Sequence, residues 1–203
     1  MLLYMEGSSG PEVSFAATLP AQGVAAVTGL LNARFNAPGT SMRLWQRTYR
    51  STLSANQRGI SEITLLSDGE SALLRTENAD RLTISHLAKV RPAMVLQARR
   101  VTRAHVGAGA PHFVAAQGFE MAYEHLRRGM LFEQGATTIA LFQLCRRLDH
   151  SPQVGGDDAW EPLGDGLWLL EASFRGQEMR TLLNEADAWA DALESLATLQ
   201  PVK

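Results

Sequence analysis

The sequence predicts an α+β fold: a mainly antiparallel, barrel-like sheet flanked by helices. Three observations lead there. Strand candidates follow one another from about residue 40 to about residue 105 with no helix between them, which argues against a Rossmann arrangement. Strong amphipathic helix patterns stand only before this run and at the end of the chain. The chain has 203 residues, 45% of them hydrophobic, enough for one domain with a substantial core or at most two small ones. One domain over 1–203 is the expectation.

The first strand candidate is Leu2 to Glu6. A helix follows Pro20, with Val24, Val27, Leu30, Leu31 and Phe35 recurring near the 3.6 period, and "NAPGT" stops it at Pro38 and Gly39. "RLWQRTYRS" sets Trp45 and Tyr49 on one face with arginines interleaved. "ISEITLL", "SALLRT" and "RLTISHL" read as strands separated by turn residues such as Asp68-Gly69 and Asn78-Ala79-Asp80, and "AMVLQARRV" as one more. "GAGAPHFVAAQG" is a glycine-bounded linker with room for a helical turn or two, Pro111 to Gln117. "TTIALFQLC" suits a buried strand. "DHSPQVGGDDAWEPLGDG" is a polar loop, and "LWLLEASF" a last strand. Gln177 to Leu199 makes the clearest helix, with Leu182, Ala186, Trp189, Leu193 and Leu196 on one face and acids elsewhere.

Composition excludes several function classes. Nineteen Lys and Arg against 21 Asp and Glu leave a formal charge of −2, so gripping nucleic acid through bulk charge is not expected. Cys145 is the single cysteine, so neither an internal disulfide nor a cysteine-based zinc site can form, which suits a reducing compartment. The start lacks the basic region of a signal peptide. No stretch approaches the ~18 apolar residues of a membrane span. These features predict a soluble chain of the cytoplasm or nucleus with no membrane partner.

Motifs for chemistry are scarce. The sequence has no GxxxxGK[ST] phosphate loop and no GxSxG elbow, and "GAGAP" places His112 where a dinucleotide turn needs its third glycine. His105 and His112 lie seven apart, not at the one-turn spacing of a helical metal pair. Asp157, Asp158 and Asp165 lack the alternate spacing of calcium ligands and read as a solvated loop. Arg99, Arg100 and Arg103, with Arg127-Arg128 and Arg146-Arg147, could converge on phosphate. Adjacent strand residues face opposite ways, so at most one of each adjacent pair could line a shared groove. Solvated strand edges are the favoured reading.

The densest polar cluster is "GFEMAYEHLRRGMLFEQ", residues 118 to 134. As a helix it would put Glu120 and Glu124 one turn apart, fit for a shared proton or metal ion. As a strand it would hold them ~13 Å apart at ~3.3 Å per residue, too far for joint chemistry. Only ten residues separate Gly118 from Gly129, short for an independent helix. The strand is favoured, with Gly129 as a bulge or bend.

The spacing of Gly118-Phe119, Met121, Glu124, Gly129, Leu131-Phe132 and Gly135 resembles subunit eighteen of the Mediator complex, a component of its head module. "TTIALFQLCRRL", "LWLLEASF" with its acidic residue at Glu171, the "RGQEM" link and the closing helix are similar to the same family. The resemblance covers 118–147 and 166–200, about a third of the chain. It implies a β-barrel flanked by helices, like the tunnel barrels of triphosphate-hydrolysing enzymes. It further implies a nuclear, non-enzymatic coregulator of RNA polymerase II transcription. Such a subunit pairs with a second barrel, subunit twenty, is tethered by a C-terminal helix of subunit eight, and needs no cofactor or metal.

The tunnel enzymes supply the competing reading, hydrolysis of nucleoside or RNA triphosphates. They hold divalent metals with Glu-x-Glu strands and phosphates with lysines and arginines. This sequence has no Glu-x-Glu: Glu6 and Glu171 each stand alone, and Glu120 with Glu124 has the wrong spacing. A third reading is an RNA-binding barrel using Arg99 and Arg103. No partner-binding set is assigned. Trp45, Tyr49, Trp160, Trp168 and Trp189 are candidates for core or interface, with core favoured for Trp168 and Trp189.

Overall fold

The computed structural model describes residues 7–52, 62–68, 71–82, 96–107, 109–148, 160–164 and 166–194. In chain order they form β1 (Gly7–Pro20), α1 (Ala21–Phe35), β2 (Thr40–Ser51), β3 (Glu62–Ser67), β4 (Ala72–Leu82) and β5 (Gln97–Val106). There follow α2 (Ala110–Ala116), β6 (Phe119–Gln134), β7 (Thr137–Arg147), β8 (Trp160–Pro162), β9 (Leu167–Arg175) and α3 (Met179–Glu194). Every pairing is antiparallel. The order β6-β2-β3-β4-β5-β1-β9-β7 closes through a direct β6–β7 ladder, so eight strands make a barrel and β8 is a short addition to β7.

β1 adds a strand that the sequence reading lacks. The expected first strand, Leu2 to Glu6, lies outside the described residues; the strand that joins β5 to β9 is Gly7–Pro20. Gly7, Gly10 and Pro11 are residue types more common in turns than in strands. Its second half alternates cleanly: Val13, Phe15, Ala17 and Leu19 are buried in the large core under the helices, while Glu12, Ser14 and Ala16 line the barrel interior. β8 likewise forms inside the segment read as loop, and α3 is described to Glu194.

Two cores coat the barrel. On one side α1 and α3 lie over β1, β9 and the β6–β7 hairpin, burying Val27, Leu31, Phe35, Leu182, Ala186 and Leu193 against the outward residues of those strands. Trp189 joins the two helices. Its ring centroid is 5.3 Å from that of Phe35, and the Arg34 guanidinium sits 4.9 Å from it. On the other side α2 sets Ala110 and Val114 against Tyr49, Ile63, Leu65 and Phe119. Tyr49 is therefore core, and Trp168 and Trp189 pack against the main core as expected.

Local stereochemistry sets the connections. α1 stops at Asn36, whose left-handed φ of 51° caps it two residues before Pro38. Gly135, at φ 59°, begins the two-residue turn of the β6–β7 hairpin, where a side chain would be strained. Gly129 does not make a bulge. The ladder with β7 runs without a register shift through it, and the irregularity with β2 falls at Thr48/Tyr49. Gly129 is required for close approach instead: a Cβ there would lie 2.1 Å from the Leu141 carbonyl oxygen and 2.6 Å from Phe142 Cα.

Candidate functional site

Closing eight strands leaves an interior that side chains can nearly fill or that can hold one small ligand. Here the inward residues surround a cavity of about 740 Å³. Part of its wall is apolar. Met42 and Leu44 from β2, Leu131 from β6 and Ala140 from β7 pack with buried Phe142. The remainder is charged: Arg75, Arg99, Arg103, Arg127 and Arg175 share the lining with Glu12, Glu62, Glu133 and Glu171.

The first charged cluster is built around Glu12, whose side chain is 1% exposed. Strand register explains the crowding. Glu12 stands opposite Arg99 on β5 and Arg175 on β9, and Arg75 of β4 stands opposite Arg103 of β5. Like charges directly opposite each other repel. Glu12 bridges that pair, accepting from Arg75 Nη2 at 2.7 Å through Oε1 and from Arg103 Nη2 through Oε2. Arg99 Nη2 donates to Ser14 Oγ at 3.1 Å. Burial pulls the Arg103 guanidinium below its ordinary pKa; Glu12 opposes that shift, and Arg75 and Arg175 add to it.

A second cluster is centred on Arg127. Its guanidinium forks onto Glu171, with Nη1 to Oε2 at 2.6 Å, while Nε donates to Gln46 Oε1 at 2.6 Å. The Phe142 ring lies 4.6 Å beneath it. Next along β6, His125 is held below its ordinary pKa of 6.5, chiefly by burial, then by Arg127, against a smaller upward pull from Glu124. The unfolded chain therefore binds the His125 proton more readily than the folded one. This contribution to stability is complete above pH 6.5 and is lost as pH falls below it. The expected outcome is that the wild type loses more Tm between pH 7 and pH 5 than His125→Gln does. Parallel pH profiles in thermal melts would rule this out.

The structure sorts the sequence candidates. β6 is a strand throughout, so Glu120 and Glu124 are not one helical turn apart; Glu120 is exposed and Glu124 binds Arg47 Nε at 2.6 Å. The favoured reading of the arginines, solvated edges, holds for the exposed Arg100, Arg146 and Arg147. It fails for Arg99, Arg103 and Arg127, which line the cavity. In the pairs Arg99-Arg100 and Arg127-Arg128 one member alone lines the cavity, and in Arg146-Arg147 neither does. His105 lines the cavity, whereas His112 is exposed on α2. Trp45 is half-buried, with the Arg43 guanidinium 5.2 Å from its ring centroid. Trp160 lies in β8. Cys145 is buried, which pushes its thiol pKa up. Asp157, Asp158 and Asp165 lie outside the described residues. Among the described residues no three His, Cys, Asp or Glu side chains are grouped to hold a metal ion. Sequence reasoning missed Glu12, Arg75 and Arg175; the alternation from Val13 to Leu19 is the signal that could have turned Glu12 inward.

No family model matches the sequence, and no curated protein matches it. Solved structures do match its fold. A chain in the structure of the Schizosaccharomyces pombe Mediator head module superposes with a TM-score of 0.67 at 16% identity, covering 95% of this chain and 98% of that one. PH1819 from Pyrococcus horikoshii gives a TM-score of 0.53 at 10% identity over 95% and 94% of the two chains. HpAC1 from Hippeastrum, a putative adenylyl cyclase with a dominant triphosphatase activity, gives 0.51 at 7% identity over 94% and 90%. The barrel and its three helices are thus an architecture that this chain shares with a Mediator head-module chain and with a triphosphatase.

Proposed function

We propose that this chain is a barrel subunit of a Mediator head module, a nuclear, non-enzymatic scaffold in RNA polymerase II transcription. One observation carries the reading: the likeness to the S. pombe head-module chain extends over nearly the whole of both chains. The spacing of Gly118, Phe119, Gly129, Leu131 and Phe132, similar to the subunit-eighteen family, supports it from the sequence side. The partners are then a second barrel, subunit twenty, and the C-terminal helix of subunit eight. The test is co-expression with those two subunits from the same organism, followed by size-exclusion chromatography. A stable ternary complex is expected; a chain that elutes alone as a monomer would refute the assembly.

Triphosphate hydrolysis is the second reading, favoured by the convergence of arginines inside the tunnel and by the likeness to HpAC1. The state of the carboxylates weighs against it. Glu12 is shared by two guanidiniums and Glu171 is forked by a third, so a divalent cation would compete with arginines for both of these carboxylates. Incubation with tripolyphosphate or ATP and magnesium or manganese separates the readings. Release of phosphate at less than one equivalent per hour is expected, and sustained turnover would reverse the ranking.

A further inference from the structure

Trp45, Trp160, Arg128 and Arg147 belong to neither helix-covered core and do not line the tunnel. Strand alternation puts them on one outward face. On β2, Met42, Leu44 and Gln46 point into the cavity, so Arg43, Trp45 and Arg47 point out. Register then sets Arg128 opposite Arg43, Leu126 opposite Trp45 and Glu124 opposite Arg47. Cys145 of β7 stands beside Leu126, and Trp160 of β8 beside Arg147. Leu126 and Cys145 are fully buried and give the face a closed apolar floor. Around them stand four arginines and, among the described residues, one carboxylate, in a chain whose formal charge is −2. That carboxylate, Glu124, is taken by Arg47 at 2.6 Å. The side chains of Arg128 and Arg147 make no hydrogen bond or ion pair among the described residues. Arg128 also faces Arg43 directly across the strands, a like-charge pair that costs stability.

We propose that this outward face of β2, β6, β7 and β8 docks a short, extended, acidic segment of a partner protein. Its carboxylates pair with Arg43, Arg128 and Arg147, and its apolar residues lie against Trp45 and Trp160. Three features choose that occupant. The first is charge: an anionic segment relieves the repulsion between Arg43 and Arg128, and guanidinium forks bind carboxylates at two points. The second is size. Four strands span about 14 Å and Arg43 to Arg47 about 13 Å, well short of the ~800 Å² that each partner gives to a standard interface between folded proteins. A segment fits such a patch, and a folded domain overhangs it. The third is the state of the rings. Trp and Arg are the side chains that most often dominate binding energy. Trp45 and Trp160 are half-buried, and Trp45 already carries the Arg43 guanidinium 5.2 Å from its centroid. Rings held that way suit contact with apolar side chains better than the open stacking that unpaired bases need. The face lies outside the barrel and needs neither the tunnel nor the head-module partners, so its failure and theirs are separate results.

The test uses the purified full chain and fluorescence anisotropy with labelled peptides of about eight residues, long enough at ~3.3 Å per residue to cross the face. One peptide alternates Glu with Leu, its counterpart carries Gln in place of each Glu, and an oligouridylate of equal charge is the third probe. The acidic peptide is expected to bind about tenfold tighter than its counterpart at low salt, and to lose that margin near 1 M salt, where the Debye length falls to about 3 Å. Arg128→Glu and Arg147→Glu should each weaken it about fivefold or more, whereas Arg100→Glu, at an exposed position on β5, should stay within about twofold. Thermal melts separate binding from folding. Arg128→Glu should hold or raise Tm, because it removes the like-charge pair with Arg43. Arg147→Glu, exposed and unpaired among the described residues, decides the matter where Arg128→Glu fails to fold. Equal binding of the two peptides, or binding undiminished in these variants, would overturn the site. Tighter binding of the oligouridylate, lost in the same variants, would overturn the choice of a protein segment.

Discussion

Glu12→Gln is expected to destabilise the barrel by about 3 kcal/mol or more, the cost of breaking a buried ion pair by removing one partner. The substitution keeps the shape and removes the charge. Arg75 and Arg103, with side chains 20% and 14% exposed, then face each other across adjacent strands without their shared counter-charge. The loss exceeds that of a surface pair because water cannot reach the guanidiniums freely. Urea unfolding should show a lower midpoint at unchanged slope. A second variant separates charge from packing. Replacing Glu12, Arg75 and Arg103 together by leucine and methionine should recover much of the loss, as apolar substitution of whole buried ion-pair groups does. A Glu12→Gln protein within 0.5 kcal/mol of the wild type would show that the carboxylate is not what reconciles the two arginines.

Gly129→Ala should be nearly as damaging, by about 3 kcal/mol, at the upper end of overpacking substitutions. One methyl group is added, yet it meets backbone: the Leu141 carbonyl oxygen at 2.1 Å and Phe142 Cα at 2.6 Å. A flexible side chain could turn aside, but β7 can yield only by separating from β6. That ladder is the one that closes the barrel, so the strain falls on the closure. Gly135→Ala strains the backbone at a positive φ but meets nothing, and should cost less, about 1 kcal/mol. Hydrogen exchange on β6 and β7 would localise the effect. Protection there as strong in Gly129→Ala as in the wild type would contradict the close-approach account.

Much of the fold was legible because its signals are local. The two-residue alternation of β2, β3 and β9 and the stripe of Leu182, Ala186, Trp189 and Leu193 in α3 can be read within one window. β1 was not read from the sequence at all, and in its first half Gly7, Gly10 and Pro11 imitate a turn. The site was mostly illegible. Glu12 meets Arg75 and Arg103 from 63 and 91 positions away, and Arg127 meets Glu171 from 44. No window contains both partners. Gly129 stood out as special in the sequence, but for the wrong reason, because a bulge and a close strand approach both ask for the smallest residue.

By itself the sequence determined the fold class and most of the order of elements, though not β1, β8 or the continuity of β4 through 78–80, because the periods of strands and helices are properties of neighbouring residues. It also determined that one member of each adjacent arginine pair must face away from the other. Only the tertiary structure decided that Arg99 and Arg127 turn inward while Arg146 and Arg147 do not, that Glu12 and not Glu120 is buried, and that five arginines share one cavity. The physical reason is closure. Joining β6 to β7 gives every strand an inside as well as two neighbours, and residues far apart in the chain become partners only once that interior exists.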